Sequence, residues 1–157
     1  DSLPYDVLTR IIAETDDGDI QRLRRIERYL DKGHGACWLR RPDIGTLIED
    51  ALLHFDAQRY RLLAWVVMPN HVHVLIETFD GYPLAGVVQS WKSYTGTVAN
   101  NLLQRHGSFW DREYFDRFVR DDGHLAAVVE YIERNPVKAG LVARGEDWPF
   151  GSARRRV

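Results

Sequence analysis

Residues 60–78 read YRLLAWVVMPNHVHVLIET. Two apolar runs, 60–67 and 71–78, flank Met68-Pro69-Asn70, a tripeptide whose proline and asparagine favour a turn. Both runs are rich in β-branched and aromatic residues, so they are predicted to pair back on one another as a hairpin. The second run carries two histidines one residue apart. On a strand, residues i and i+2 point to the same face, about 6.6 Å apart along the strand. His71 and His73 therefore project together, while Val72 points into the opposite layer.

Outward from the hairpin the pattern is helical. On its N-terminal side, residues 20–32 place Ile20, Leu23, Ile26 and Leu30 at helical spacing, with Gly33 as a stop. Residues 36–39 are a candidate short strand. Pro42 and Asp43 open a second helix whose buried side is Ile44, Leu47, Ile48, Ala51, Leu52 and Phe55. On the C-terminal side, Gly81 and Pro83 break the chain and a long helix is predicted over 84–106, weakened by Gly86 and Gly96. EYFDRFVR (113–120) alternates as a strand, and GHLAAVVEYIERN (123–135) is a helix that Pro136 discourages from continuing. This order fits the α+β class, an antiparallel sheet with helices on one face. One further strand at the beginning would complete a split βαβ arrangement. Residues 1–12 are a poor candidate for it, so that strand is either missing or supplied by 36–39.

The chain has 157 residues, 45% hydrophobic and 28% charged, which suits a single domain with a real core. No apolar run reaches a membrane span and no secretory signal is evident. The chain opens at Asp1, so a few N-terminal residues are expected to precede it. Cys37 is the single cysteine. It excludes an internal disulfide and a cysteine zinc cluster, and points to a reducing cytoplasm. A net charge of −2 does not advertise nucleic acid. The charge is uneven, however. Arg112, Arg117 and Arg120 punctuate an aromatic segment, Arg154–Arg156 nearly ends the chain, and the N-terminus is acidic.

An isolated His-x-His is adequately explained by solvent or by backbone carbonyls. Here the flanks Val66, Val67, Val72, Val74, Leu75 and Ile76 indicate a central strand, a costly place for two idle imidazoles. Neutral imidazole is the commonest metal ligand, and two from one strand can clasp a cation. A third ligand should come from another element. Tyr131 and Asn135, at i and i+4, share a helix face. The amide oxygen of Asn135 suits Mg²⁺ or Mn²⁺. The Tyr131 phenol is a candidate nucleophile on a phosphate that the ion polarises. The alternatives are a half-buried helix tyrosine and a C-terminal cap.

At these residues the chain resembles a known family. HVH (71–73) after an apolar strand resembles the HUH signature of single-strand DNA endonucleases. MPNHVHVLIE (68–77), SFWDREYFDRFVRDDGHL (108–125) and YIERNPVKAGLV (131–142) together resemble REP-associated tyrosine transposases, relatives of the single-tyrosine insertion-sequence transposases of bacteria. The resemblance implies a ferredoxin-like core with its site on the open sheet face and the nucleophile on a late helix. It implies that His71 and His73 hold Mg²⁺ or Mn²⁺. It further implies that Tyr131 forms a covalent 5′-phosphotyrosine during single-strand DNA cleavage and rejoining at REP-type hairpins. Asn135 stands where the insertion-sequence relatives carry Gln, one methylene longer. Tyr94 and Tyr114 are rival nucleophiles.

Single-strand grip combines cations with stacking rings. Trp91 and Lys92, Phe109 and Trp110, and Arg112, Arg117 and Arg120 offer that mixture, with a core plug as the equal alternative for Phe109 and Trp110. Arg154 and Arg155 belong to a C-terminal extension, 136–157, that could follow a hairpin backbone or be a disordered tail. The expectation is a monomeric, single-domain, cytoplasmic enzyme over 1–157 with a DNA-hairpin partner and no membrane partner. A catalytically silent hairpin-binding protein and a metal-dependent phosphoesterase using water are the competing readings.

Overall fold

The computed structural model describes residues 8–9, 28–30, 32–33, 35–112, 114–116 and 118–156. Its strands are β1 (Leu8–Thr9), β2 (Tyr60–Val67), β3 (Val72–Thr78) and β4 (Tyr114–Phe115). Its helices are α1 (Pro42–His54), α2 (Leu84–Leu103), α3 (Asp122–Lys138) and a short α4 (Ser152–Arg155). Residues 28–30 are helical too; most of the helix expected over 20–32 lies outside the described residues.

The hairpin forms as its sequence predicts. β2 and β3 pair antiparallel from Tyr60↔Thr78 to Val67↔Val72. The turn closes with the Met68 N–H donating to the His71 carbonyl at 2.8 Å. The register shifts between Leu62 and Ala64, so Leu63 is a bulge. An extra residue changes the phase of alternation. Tyr60 and Leu62 before the bulge therefore share a face with Trp65 and Val67 after it.

That face, with Val72, Val74 and Ile76 of β3, packs on Ile44, Ile48 and Leu52 of α1 and on Val87, Val88, Trp91 and Ala99 of α2. The opposite face is also covered. Ala64, Val66, Met68 and Leu75 pack on Val128 and Ile132 of α3. Helices on one face only is thus corrected to helices on both. The reason was already in the hairpin, because a nearly continuous apolar strand is buried on two sides.

The sheet order is β2-β3-β1-β4. β1 runs parallel to both neighbours, with Leu8↔Val72 and Leu8↔Tyr114. The sheet is therefore mixed rather than antiparallel throughout, and its extra strand comes from residues 8–9 rather than from 36–39. At 36–39 the chain turns instead, with Cys37 in the left-handed region at φ 46° and a 3-10 turn at Trp38–Arg40. The strand expected over 113–120 shrinks to two residues, and Phe118 is exposed. α2 ends three residues early, where Gln104 at φ 53° caps it.

α3 begins at an Asp121 cap, whose side chain accepts the His124 N–H at 2.8 Å. It then runs past Pro136 to Lys138. A proline there removes one hydrogen bond near the helix end, where few remain to be lost. Beyond it the chain returns to the outer edge of β2. Val67 N–H donates to the Phe150 carbonyl at 2.8 Å, the Trp148 indole donates to the Val67 carbonyl at 2.9 Å, and Val66 bridges Gly151. Phe150 lies so close to α1 that a Cβ on Gly45 would meet its ring at 2.6 Å.

Candidate active site

His71 ends the turn and His73 lies on β3, on the side that α3 covers. They are 0% and 1% exposed. Their Nε2 atoms face each other at 3.0 Å with the rings nearly perpendicular, at 86°. Behind His71, its Nδ1 lies 2.7 Å from the Asn70 Oδ1, and the Asn70 amide donates to the Leu30 carbonyl at 2.9 Å. Burial holds His71 well below the usual histidine range, with His73 adding to the effect. Burial, and then the charge of Lys138, push His73 down to about 4. Both rings are neutral at pH 7, which is the state a metal requires.

α3 supplies the facing side. The Tyr131 ring meets the His73 ring edge-on, with centroids 5.7 Å apart and planes at 84°. Its hydroxyl is buried. One turn on, Asn135 is 1% exposed, and neither amide atom has a hydrogen-bond partner among the described residues. Lys138, a further turn along, brings its ammonium 5.3 Å from the centre of the Tyr131 ring. Tyr131, Asn135 and Lys138 follow i, i+4, i+7, one stripe of a helix. Sequence reading stopped the helix at Pro136, and so passed over Lys138.

The residues fit a divalent ion. Two atoms bound at about 2.1 Å and at the right angle of octahedral coordination lie about 3.0 Å apart, the observed Nε2 separation. Among the described residues no cluster of three or more His, Cys, Asp or Glu is present, so among them further coordination would fall to a neutral oxygen. A buried amide lacking a partner costs about 1–3 kcal/mol, and ligation of an ion is one way to recover it.

The other candidates disperse. Tyr94 is 58% exposed on α2, the helix behind the opposite sheet face, and Tyr114 is half-buried beside the main core. Trp91 and Trp110 are core residues rather than exposed stacking platforms. The Trp91 indole donates to the Tyr60 hydroxyl at 3.1 Å, and the Trp110 indole donates to the Thr95 hydroxyl at 2.8 Å. Phe109 is buried with them. Lys92 is half-buried and donates to the Asp111 carbonyl at 2.7 Å instead of facing outward. Arg112, Arg120 and Arg154 are exposed, whereas Arg117 lies outside the described residues. Arg155 is no free tail: it pairs with the nearly buried Glu49 at 3.3 Å, and Arg156 pairs with Glu133.

The family model for IS200-like transposases matches residues 43–135, which spans the hairpin, α2 and most of α3. A Haemophilus influenzae protein, provisionally named as a REP-associated tyrosine transposase, is 29% identical over 109 residues, covering 62% of this chain and 61% of that protein. The REP-associated tyrosine transposase of Escherichia coli K12 is 27% identical over 114 residues, covering 71% of this chain and 66% of that protein. The chain spans less than two thirds of the length of either. A solved structure of a REP-associated tyrosine transposase bound to a REP hairpin has the same fold, with a TM-score of 0.61 at 24% identity over 74% of this chain and 71% of that one. None of the described helices is long and apolar enough to cross a membrane. With more than half of its length matched by one family model, the chain belongs to the IS200-like transposases.

Proposed function

We propose that this protein cleaves and rejoins single-stranded DNA at hairpin-forming, REP-type repeats, with Tyr131 as nucleophile and a ferredoxin-like core as its frame. The observation that carries the reading is the meeting of β3 and α3: two Nε2 atoms 3.0 Å apart, with a tyrosine ring edge-on to one of them at 5.7 Å. His71 and His73, with the Asn135 amide oxygen, would hold Mg²⁺ or Mn²⁺. Such an ion polarises the scissile phosphate when bound.

The protein's own part is positional. α3 presents the Tyr131 oxygen, which forms a bond to phosphorus as the bond from phosphorus to the 3′ oxygen breaks. The phenol gives up its proton and the departing 3′ oxygen gains one. The product is a 5′-phosphotyrosine and a free 3′-hydroxyl. One phosphate ester replaces another, so the reverse attack reseals the strand without a nucleotide cofactor. Lys138 adds a cation beside the nucleophile. Exposed Arg112, Arg120 and Arg154 suit phosphate contacts. His71, His73 and Tyr131 meet within one chain, which suits a monomer, and the cytoplasm is where such a DNA substrate lies.

The test incubates the protein with an end-labelled REP-type hairpin oligonucleotide and Mn²⁺. A denaturation-resistant protein–DNA adduct is expected, and Tyr131→Phe abolishes it. Cleavage without an adduct would point to water as nucleophile, and binding without cleavage to a silent hairpin binder; either result overturns the proposal.

A further inference from the structure

Asparagine in a turn normally bonds its own nearby backbone. Asn70 does more. It is 2% exposed, its amide nitrogen donates to the carbonyl of Leu30, forty residues back, and its amide oxygen lies against the His71 ring. The roles along this chain of atoms are forced. A carbonyl only accepts, so the Asn70 group bonded to Leu30 is the NH₂. The group facing His71 is then an oxygen, which also only accepts. His71 Nδ1 must carry the proton, and its Nε2 is left with the lone pair. That lone pair points at His73 Nε2 3.0 Å away, a hydrogen bond only if His73 donates from Nε2.

We propose that Asn70 is a positioning residue that locks His71 in the Nδ1–H tautomer, aiming its Nε2 lone pair into the gap between the two histidines. In the metal-free protein the two rings then hold opposite tautomers. The inference rests on the reading that this pair holds a cation. Outer partners that fix a ligand histidine's tautomer are worth roughly 10–100-fold in metal affinity.

The experiment begins with metal-free wild-type protein labelled with ¹⁵N in its imidazoles. Long-range proton–nitrogen correlations should show the proton on Nδ1 of His71 and on Nε2 of His73. A proton on Nε2 of His71 overturns the proposal, whatever the variants do. Calorimetry with Mn²⁺ follows. Asn70→Ala should bind roughly 10–100-fold more weakly and show mixed His71 tautomers. Asn70→Asp keeps an acceptor toward Nδ1 and should hold the wild-type tautomer with Mn²⁺ affinity restored to within a few-fold. If Asn70 is merely structural, both variants lose thermal stability while their folded fraction keeps the tautomer and the Mn²⁺ affinity, and the proposal fails. It fails too if the wild type binds no Mn²⁺. Because the spectrum needs no DNA, a protein with the expected tautomers and Mn²⁺ affinity but no DNA adduct would sink the proposed function and leave this inference standing.

Discussion

Asn135 and His73 are held in states that the ordinary energetics of folding disfavour. Replacing a buried polar group usually breaks bonds it was making; Asn135 has none to break among the described residues. Asn135→Leu is therefore expected to leave the metal-free protein as stable as wild type, or to stabilise it by about 1–3 kcal/mol, while weakening Mn²⁺ binding. Urea unfolding in chelator checks the first part, and a loss beyond 1 kcal/mol, on the order of a hydrogen bond's worth, would contradict it. His73 carries a pH signature. Its folded pKa of about 4 lies below the unfolded 6.5, so between those values the unfolded chain binds more protons. Stability is full above pH 6.5 and falls as the pH drops toward 4, by roughly 3 kcal/mol from this residue. His71 is shifted in the same direction. Unfolding midpoints of chelated protein should follow this slope, and His73→Leu should flatten it. The sequence showed that both histidines share a face. It could not show that they touch, because strand periodicity fixes direction and not ring rotation.

At the scale of elements, α3 and the C-terminal segment depart furthest from their sequence patterns. Pro136 reads as a stop, yet α3 keeps another turn, and that turn carries Lys138 to Tyr131. A proline is a strong local signal, but near a helix end its cost is one hydrogen bond, which packing can outweigh. The sequence leaves the C-terminal extension open between a hairpin contact and a disordered tail; it is a strap along β2. It packs closely at Phe150, whose ring leaves no room for a Cβ on Gly45. Gly45→Ala should destabilise by about 1–3 kcal/mol through overpacking, despite the ~1 kcal/mol gain in helix propensity. Gly45→Ala with Phe150→Leu should recover most of the loss. Thermal melts of the four proteins in that cycle decide it; additive effects would mean the ring moves aside freely.

Across the whole molecule, two cores of unequal size divide the work. The larger lies between the sheet and α1 and α2, and the smaller lies under α3, where the polar residues sit. The larger core lies on one face of the sheet and the candidate site on the other. The strap closes the edge that the sheet would otherwise expose beside Trp65 and Val67. Ending the chain at Asp147 should therefore cost a few kcal/mol, since fully burying one large apolar side chain is worth about 1.5–3 kcal/mol and two partly buried rings, Trp148 and Phe150, are removed. An uncovered edge also invites pairing between copies. Light scattering should show self-association of the shortened protein, and a stable monomer would mean that β2 needs no cover.

The sequence by itself determined the hairpin, the three long helices, the common direction of His71 and His73, and the shared stripe of Tyr131 and Asn135. All of these follow from alternation, helical spacing and turn chemistry within a few residues of one another. Tertiary structure alone decided that helices cover both faces and that two residues near the N-terminus form a central strand. It also decided that Trp91 and Trp110 are core, and that Asn70 joins Leu30 to the histidine pair. Periodicity states which side chains look the same way, and the partner they meet is chosen by packing between segments far apart in the chain.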